Sequence, residues 1–202
     1  MPLKVVGITG NIAVGKSTVS RMLAELGAQV LDADEVVHYL LERDEEVRSR
    51  VIARFGEGVT IGEQISRRKL GEVVFNDLQA LQDLERILYP QVGKRLVAWL
   101  RDLQGNEEEK RVAVVDAIKL VESGFARLCD EVWLFTASEA AVRQRLRNDH
   151  KLSELEINAR LAAQPPLEPK RKAATRLISN DGDLAALRAQ VEKGWLEIMK
   201  DD

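Results

Sequence analysis

Gly10-Asn11-Ile12-Ala13-Val14-Gly15-Lys16-Ser17 has the spacing G-x-x-x-x-G-K-[ST]. That pattern suits a polyphosphate. Successive backbone N–H groups wrap the anion, and a helix starting near Lys16 turns its positive end toward it. Glycines permit the tight turn and the close approach. Lys16 is long enough to reach the β- and γ-phosphates, and the Ser17 hydroxyl suits a hard cation such as Mg²⁺. The alternative is a ligand-free strand–helix turn that happens to contain glycine.

Two further sets of residues fit phosphoryl transfer. Asp32 and Asp34 follow an apolar run, at the strand end where open α/β sheets bind ligands. A carboxylate there can take the proton of an attacking hydroxyl, or it can cap the helix beginning near Glu35. Asp116 ends the run Val112 to Val115, a position that suits either a carboxylate near a metal-bound phosphate or an ordinary turn. Residues 143–176 hold six Arg and three Lys against four acids, within a chain of net charge −3. Arg143 and Arg147 share a helical face and Arg145 points elsewhere. Such a segment serves as a cationic lid or as a solvated basic face.

These groups need a scaffold that brings strand ends together. Residues 3–9 (LKVVGIT) read as a strand buried on both faces, and 28–31, 111–115, 131–135 and 176–179 read as four more. Val19, Met22, Leu23 and Leu26 have helical spacing, with Gly27 as the stop, and Asp183 caps a last helix reaching Trp195. Strands alternating with helices predict an α/β fold with a parallel sheet covered on both faces. Residues 44–105 depart from the alternation. They read as a helical insertion broken at Tyr89-Pro90, and residues 105–110 as a solvated loop.

Composition narrows the function classes. The chain has 202 residues, 45% of them apolar, with one cysteine and two histidines. Cys129 cannot form an internal disulfide or build a zinc site, and a transition-metal centre lacks ligands. The N-terminus is a poor signal peptide, no apolar run spans a membrane, and the charge balance disfavours nucleic acid. The expectation is a soluble chain of a reducing compartment, with neither membrane nor nucleic acid as partner.

The ordered series of motifs resembles the dephospho-CoA kinase family over nearly the whole chain. Gly7-Ile8-Thr9-Gly10 through Gly15-Lys16-Ser17-Thr18 is similar to the family's opening, with Asn11 and Ala13 at usual glycines. Val30-Leu31-Asp32-Ala33-Asp34 resembles its D-x-D segment. Ile65-Ser66-Arg67, Leu70 and Val73-Val74-Phe75 resemble I-D-R…L…V-F, with Ser66 for aspartate. Leu84-Glu85, Ile87 and Tyr89-Pro90 resemble L-E-x-I-x-H-P, with Tyr89 for histidine. Gln164, Lys170, Ala174, Ile178, Asn180 and Gly182 follow the closing pattern, with Thr175 for aspartate. Asp116-Ala117-Ile118-Lys119-Leu120-Val121-Glu122 stands where the family reads D-x-P-L-L-F-E.

The resemblance implies a three-layer P-loop kinase core with a five-stranded parallel sheet (1–58, 106–140 and 175–202). It adds a helical substrate subdomain at about 60–105 and a lid at about 140–172. It implies transfer of the ATP γ-phosphate, with Mg²⁺, to the ribose 3′-hydroxyl of dephospho-CoA in the cytoplasm, the last step of coenzyme A synthesis. Gly10 through Thr18 would hold ATP, Lys16 would neutralise phosphate and Ser17 would ligate Mg²⁺. Asp34 would be the base, Arg67 and Asp116 would meet the acceptor, and Asn180 would lie near the adenine. Arg145 matches the family's first lid arginine. Its usual partner falls at Asn148 or Asp149, which leaves Arg147 to substitute from a shifted position.

Other kinases of nucleosides or nucleotides share the loop and an Arg-rich lid, and a nucleotide-binding regulator shares the loop alone. The chain lacks the guanine-reading N-K-x-D tetrapeptide of GTP switches. His38 reads as a partly buried helix residue, His150 as surface, Cys129 as a small buried group, and Trp99, Trp133 and Trp195 as packing residues.

Overall fold

The computed structural model describes residues 3–104, 111–148 and 151–200; the expected loop at 105–110 and His150 lie outside them. In chain order the elements are β1 (Leu3–Thr9), α1 (Lys16–Glu25), β2 (Gln29–Asp32), α2 (Ala33–Arg43), α3 (Glu45–Phe55), β3 (Thr60–Ile61), β4 (Gln64–Ile65) and α4 (Arg67–Val74). They continue with α5 (Leu78–Gln104), β5 (Arg111–Asp116), β6 (Glu131–Thr136), α6 (Glu139–Asn148), α7 (Glu154–Ala162), α8 (Glu168–Ala173), β7 (Arg176–Ser179) and α9 (Leu184–Lys200). The chain divides into two compact units, Met1–Leu31 with Leu103–Asp202, and Asp32–Asp102.

The first unit is built on a five-stranded parallel sheet of order β2-β5-β1-β6-β7. In the β1–β5 pairing Leu3 lies opposite Arg111 and Ile8 opposite Asp116, so β5 ends beside the start of the glycine-rich turn. Trp133 lies opposite Arg176 in the β6–β7 pairing. Alternate residues point to one face. Val6, Ile8, Val112, Val114, Trp133, Phe135 and Ile178 meet Val19, Met22 and Leu23 of α1 and Leu187, Val191 and Ile198 of α9 in one core. Val142 and Leu146 of α6 and Ile157 of α7 join it. On the opposite face, Gly7 is covered by Leu120 and Cys129. Helix α1 closes with paired bonds, Ala28 N–H to Leu23 O (2.9 Å) and Gly27 N–H to Ala24 O (3.0 Å), which turn the chain into β2.

The second unit contains α2 to α5. Helices α2 and α3 pack together and both touch β4. Two readings of this unit are corrected. Residues 44–105 contain an antiparallel hairpin, Thr60 opposite Ile65 and Ile61 opposite Gln64, whose two-residue strands are too short to show a period. Tyr89-Pro90 does not break the helix, since α5 runs through Pro90. Proline removes one backbone donor, but Leu84, Leu88, Val92, Leu96 and Leu100 recur every fourth residue and are buried along one stripe. That burial outweighs the lost bond.

Candidate active site

The turn between β1 and α1 puts the glycine-rich residues at the end of the central strand. Gly10 must lack a side chain, because a Cβ there would lie 2.6 Å from the Phe135 carbonyl oxygen. Gly15 caps α1 in the left-handed region (φ 93). Its added Cβ would lie 2.4 Å from Asn180 Nδ2. Ala13 also has positive φ (57), a conformation that costs an L-residue about 1–2 kcal/mol. The amides that open α1 have no preceding helical carbonyl, so they are available to an anion. They face a cavity of about 540 Å³, lined by residues 11–18 and by Ile118, Arg145, Asn180, Gly182, Leu184 and Leu187.

Lys16, which lines this cavity, pairs with Asp116, Nζ to Oδ1 at 3.0 Å, with 13% and 5% of their side chains exposed. The contact is an ion pair outside hydrogen-bond alignment, which leaves Asp116 Oδ1 buried with unused acceptor capacity. The Ser20 hydroxyl donates to Asp116 Oδ2 (2.6 Å) and has the Lys16 carbonyl oxygen at 3.1 Å. Ser20 was not singled out from sequence. Its position four residues after Lys16, on the same helical face, is the signal that finds it. The loop after Asp116 is fixed despite its altered residues. Ala117 N–H donates to Ile8 O (3.1 Å), and the buried Thr9 hydroxyl donates to Ile118 O (3.0 Å).

The basic segment sorts its arginines. Arg145 donates to Ala13 O (3.0 Å) and Asn180 O (2.6 Å), so it reaches the loop and braces the strained residue. Arg143 donates to Glu139 Oε1 (2.8 Å) and Asn158 Oδ1 (2.9 Å), and Arg147 pairs with Glu154. These two tie α6 to its own turn and to α7 and do not reach the loop. Asn180 is buried and uses its amide on the loop, donating to Val14 O at 2.9 Å. Asp181 accepts from Ser138 N–H and Ser179 Oγ, both at 2.6 Å. Those bonds, Ser179 first, lower its pKa to about 2. They tie the start of α6 to the end of β7.

In the second unit, Asp32 accepts from the N–H groups of Asp34 (2.8 Å) and Glu35 (3.2 Å) and is the α2 cap. Of the two aspartates, Asp32 is the one committed to the helix end. Asp34 lies in the first turn of α2 and is partly buried. Ser66, at the position of the family aspartate, caps α4 by accepting from Lys69 N–H. Arg67 then begins α4 and lines a cavity of about 480 Å³ with His38, Arg68, Val74, Phe75 and Leu84. His38 lies 3.8 Å from Glu35, and the Phe75 ring is 82% exposed. In the first unit Thr175, also at a family aspartate, brackets Val132 by accepting from its N–H (3.0 Å) and donating to its carbonyl (3.2 Å).

The dephospho-CoA kinase family model matches residues 4–186. A dephospho-CoA kinase of Symbiobacterium thermophilum is 40% identical over 194 residues, which are 96% of this chain and 80% of that protein. The solved structure of TT1252 from Thermus thermophilus superposes with a TM-score of 0.80 at 32% identity, covering 98% of this chain and 99% of the other. The dephospho-CoA kinase from Campylobacter jejuni superposes with a TM-score of 0.70 at 27% identity, covering 98% of each chain.

Proposed function

The chain belongs to the dephospho-CoA kinase family, and from that premise we propose that it transfers the ATP γ-phosphate to the ribose 3′-hydroxyl of dephospho-CoA through the following residues. The observation that carries the reading is the first-unit cavity lined by the loop residues, Lys16 and Arg145, with Asp116 and Ser20 joined to one another and Asp116 paired with Lys16. The loop Gly10 through Thr18 receives the donor polyphosphate through the amides left open at the start of α1. Lys16 offsets the charge on the transferring group, which requires it to move off Asp116 toward the β- and γ-oxygens. Arg145, which donates to Ala13 O, closes over the transferring group. Asp34 accepts the proton of the attacking hydroxyl. Arg67 and Asp116 hold the acceptor, and Asn180 lies by the donor base.

The donor set suits Mg²⁺. The Ser17 hydroxyl and the buried Asp116 carboxylate are hard oxygen ligands, and Mg²⁺ takes one or two carboxylates with substrate phosphates completing its shell. When bound it neutralises phosphate charge. Residues of about 60–105 serve as the helical acceptor-binding part, those of about 140–172 as the lid, and the cytoplasm as the place of action. No helix among the described residues is long and apolar enough to cross a membrane.

A panel of acceptors tests the reading. Purified protein with Mg-ATP should phosphorylate dephospho-CoA at the 3′ position and leave nucleosides and nucleoside monophosphates nearly untouched. Efficient turnover of a nucleoside with none of dephospho-CoA would overturn it.

A further inference from the structure

Among the described residues Lys170 is the only fully buried cationic side chain, with 0% exposure. It is the third residue of α8, next to the exposed Arg171 and Lys172. Its Nζ lies 2.9 Å from Glu122 Oε1 in the loop after β5. It also donates to Asn11 Oδ1 at 3.5 Å, the outer limit of a hydrogen bond. Asn11 in turn donates through Nδ2 to Pro165 O (3.5 Å), and Ile12 N–H donates to Gln164 Oε1 (2.9 Å). Residues 164–170 thus grip positions 11 and 12 of the phosphate loop from outside and leave the amides at the start of α1 open.

Fold stability alone does not account for a fully buried ammonium whose carboxylate partner keeps 28% of its side chain exposed. Exchanging such a pair for apolar groups of similar volume is often neutral or stabilising, because desolvating the charges offsets their attraction. What the ammonium supplies that a methyl group does not is a donor directed at Asn11. A glycine at position 11 has no side chain to receive it.

We propose that Lys170 is a positioning residue for the donor site. Its ammonium, neutralised by Glu122, holds Asn11 and with it the first residues of the phosphate loop in the shape that receives a polyphosphate. This rests on reading the loop cavity as the donor site of the proposed function.

The test is ADP titration by calorimetry, alongside steady-state kinetics and thermal unfolding, on the full chain. Lys170→Met should weaken ADP about three- to tenfold, a loss set by one long hydrogen bond. It should raise the KM for ATP by a similar factor and change kcat less. Asn11→Ala leaves the buried pair intact and should reproduce the ADP loss with little change in Tm. In the Asn11→Ala background, Lys170→Met should add less than about twofold, because the two groups act through one contact. A lowered Tm with unchanged ADP affinity and KM in Lys170→Met would overturn the proposal, as would unchanged ADP affinity in Asn11→Ala. Should Lys170→Met fail to fold, Asn11→Ala decides alone. Since ADP binding needs no acceptor, failure to phosphorylate dephospho-CoA would count against the acceptor reading and leave this test intact.

Discussion

Gly15→Ala separates two costs that meet at one atom. The added methyl sits at φ 93, where a left-handed backbone costs an L-residue about 1–2 kcal/mol. It also sits 2.4 Å from Asn180 Nδ2, so the amide must move and its 2.9 Å bond to Val14 O is lost. Leaving that buried carbonyl unpaired costs about 1–3 kcal/mol. The expected total is about 2–5 kcal/mol, which at about 2–4 °C per kcal/mol for a chain of this size is a large drop in Tm. The assay is thermal unfolding of Gly15→Ala, Asn180→Ala and the double variant. With Asn180 truncated, the clash is gone and only backbone strain remains, so Gly15→Ala should cost about 1–2 kcal/mol in that background. An equal cost in both backgrounds would refute the steric account, and a cost below about 0.5 kcal/mol in the wild type would refute the left-handed turn itself.

Three shorter predictions accompany it. Asp34→Asn should lower kcat for phosphoryl transfer by about 10²–10⁴-fold while ADP affinity stays within about twofold, and full activity would assign the proton elsewhere. Asp181 has its pKa lowered from 3.8 to about 2, so its ionised form stabilises the fold above about pH 4, an effect lost as pH falls from 4 toward 2. The Asp181→Asn variant should therefore lose less stability over that window in denaturant titrations, and parallel curves for the two proteins would contradict the linkage. Burial, assisted by the neighbouring Asp130 carboxylate, pushes the Cys129 thiol up to about 12, so iodoacetamide at pH 8 should leave native Cys129 unmodified and alkylate it readily in guanidinium. Rapid labelling of the native protein would show that the half-buried thiol is not shielded by its surroundings.

The strands and the phosphate loop were legible because each is written in consecutive residues. A β-branched run, a glycine spacing and a helical stripe need no knowledge of distant neighbours. Asp32 as cap and Arg145 as the arginine pointing away from Arg143 and Arg147 were also within reach of helix geometry. What escaped depends on contacts across the chain. Pro90 is a local breaker overruled by the burial of Leu88 and Val92. Lys170 looks like its solvated neighbours until Glu122 and Asn11 close over it. Ser20 carries a local clue, four residues after Lys16, but its partner arrives only when β5 delivers Asp116 beside it. Ala13 gives no sign in its side chain of the left-handed backbone it adopts.

The strand order has a consequence for how the chain is made. β5 lies between β2 and β1 in the sheet, yet it begins only at residue 111. A nascent chain that has emerged as far as residue 104 carries β1 and β2 without the strand that joins them, and their pairing edges stay open. Asp32–Asp102, by contrast, is one continuous stretch with its own compact contacts. It can form while the sheet waits for a closure spanning about a hundred residues, which is entropically slow. Synthesis therefore exposes the apolar β1 strand longest of all, and the interval before residue 116 leaves the ribosome is when misassembly competes most strongly with folding.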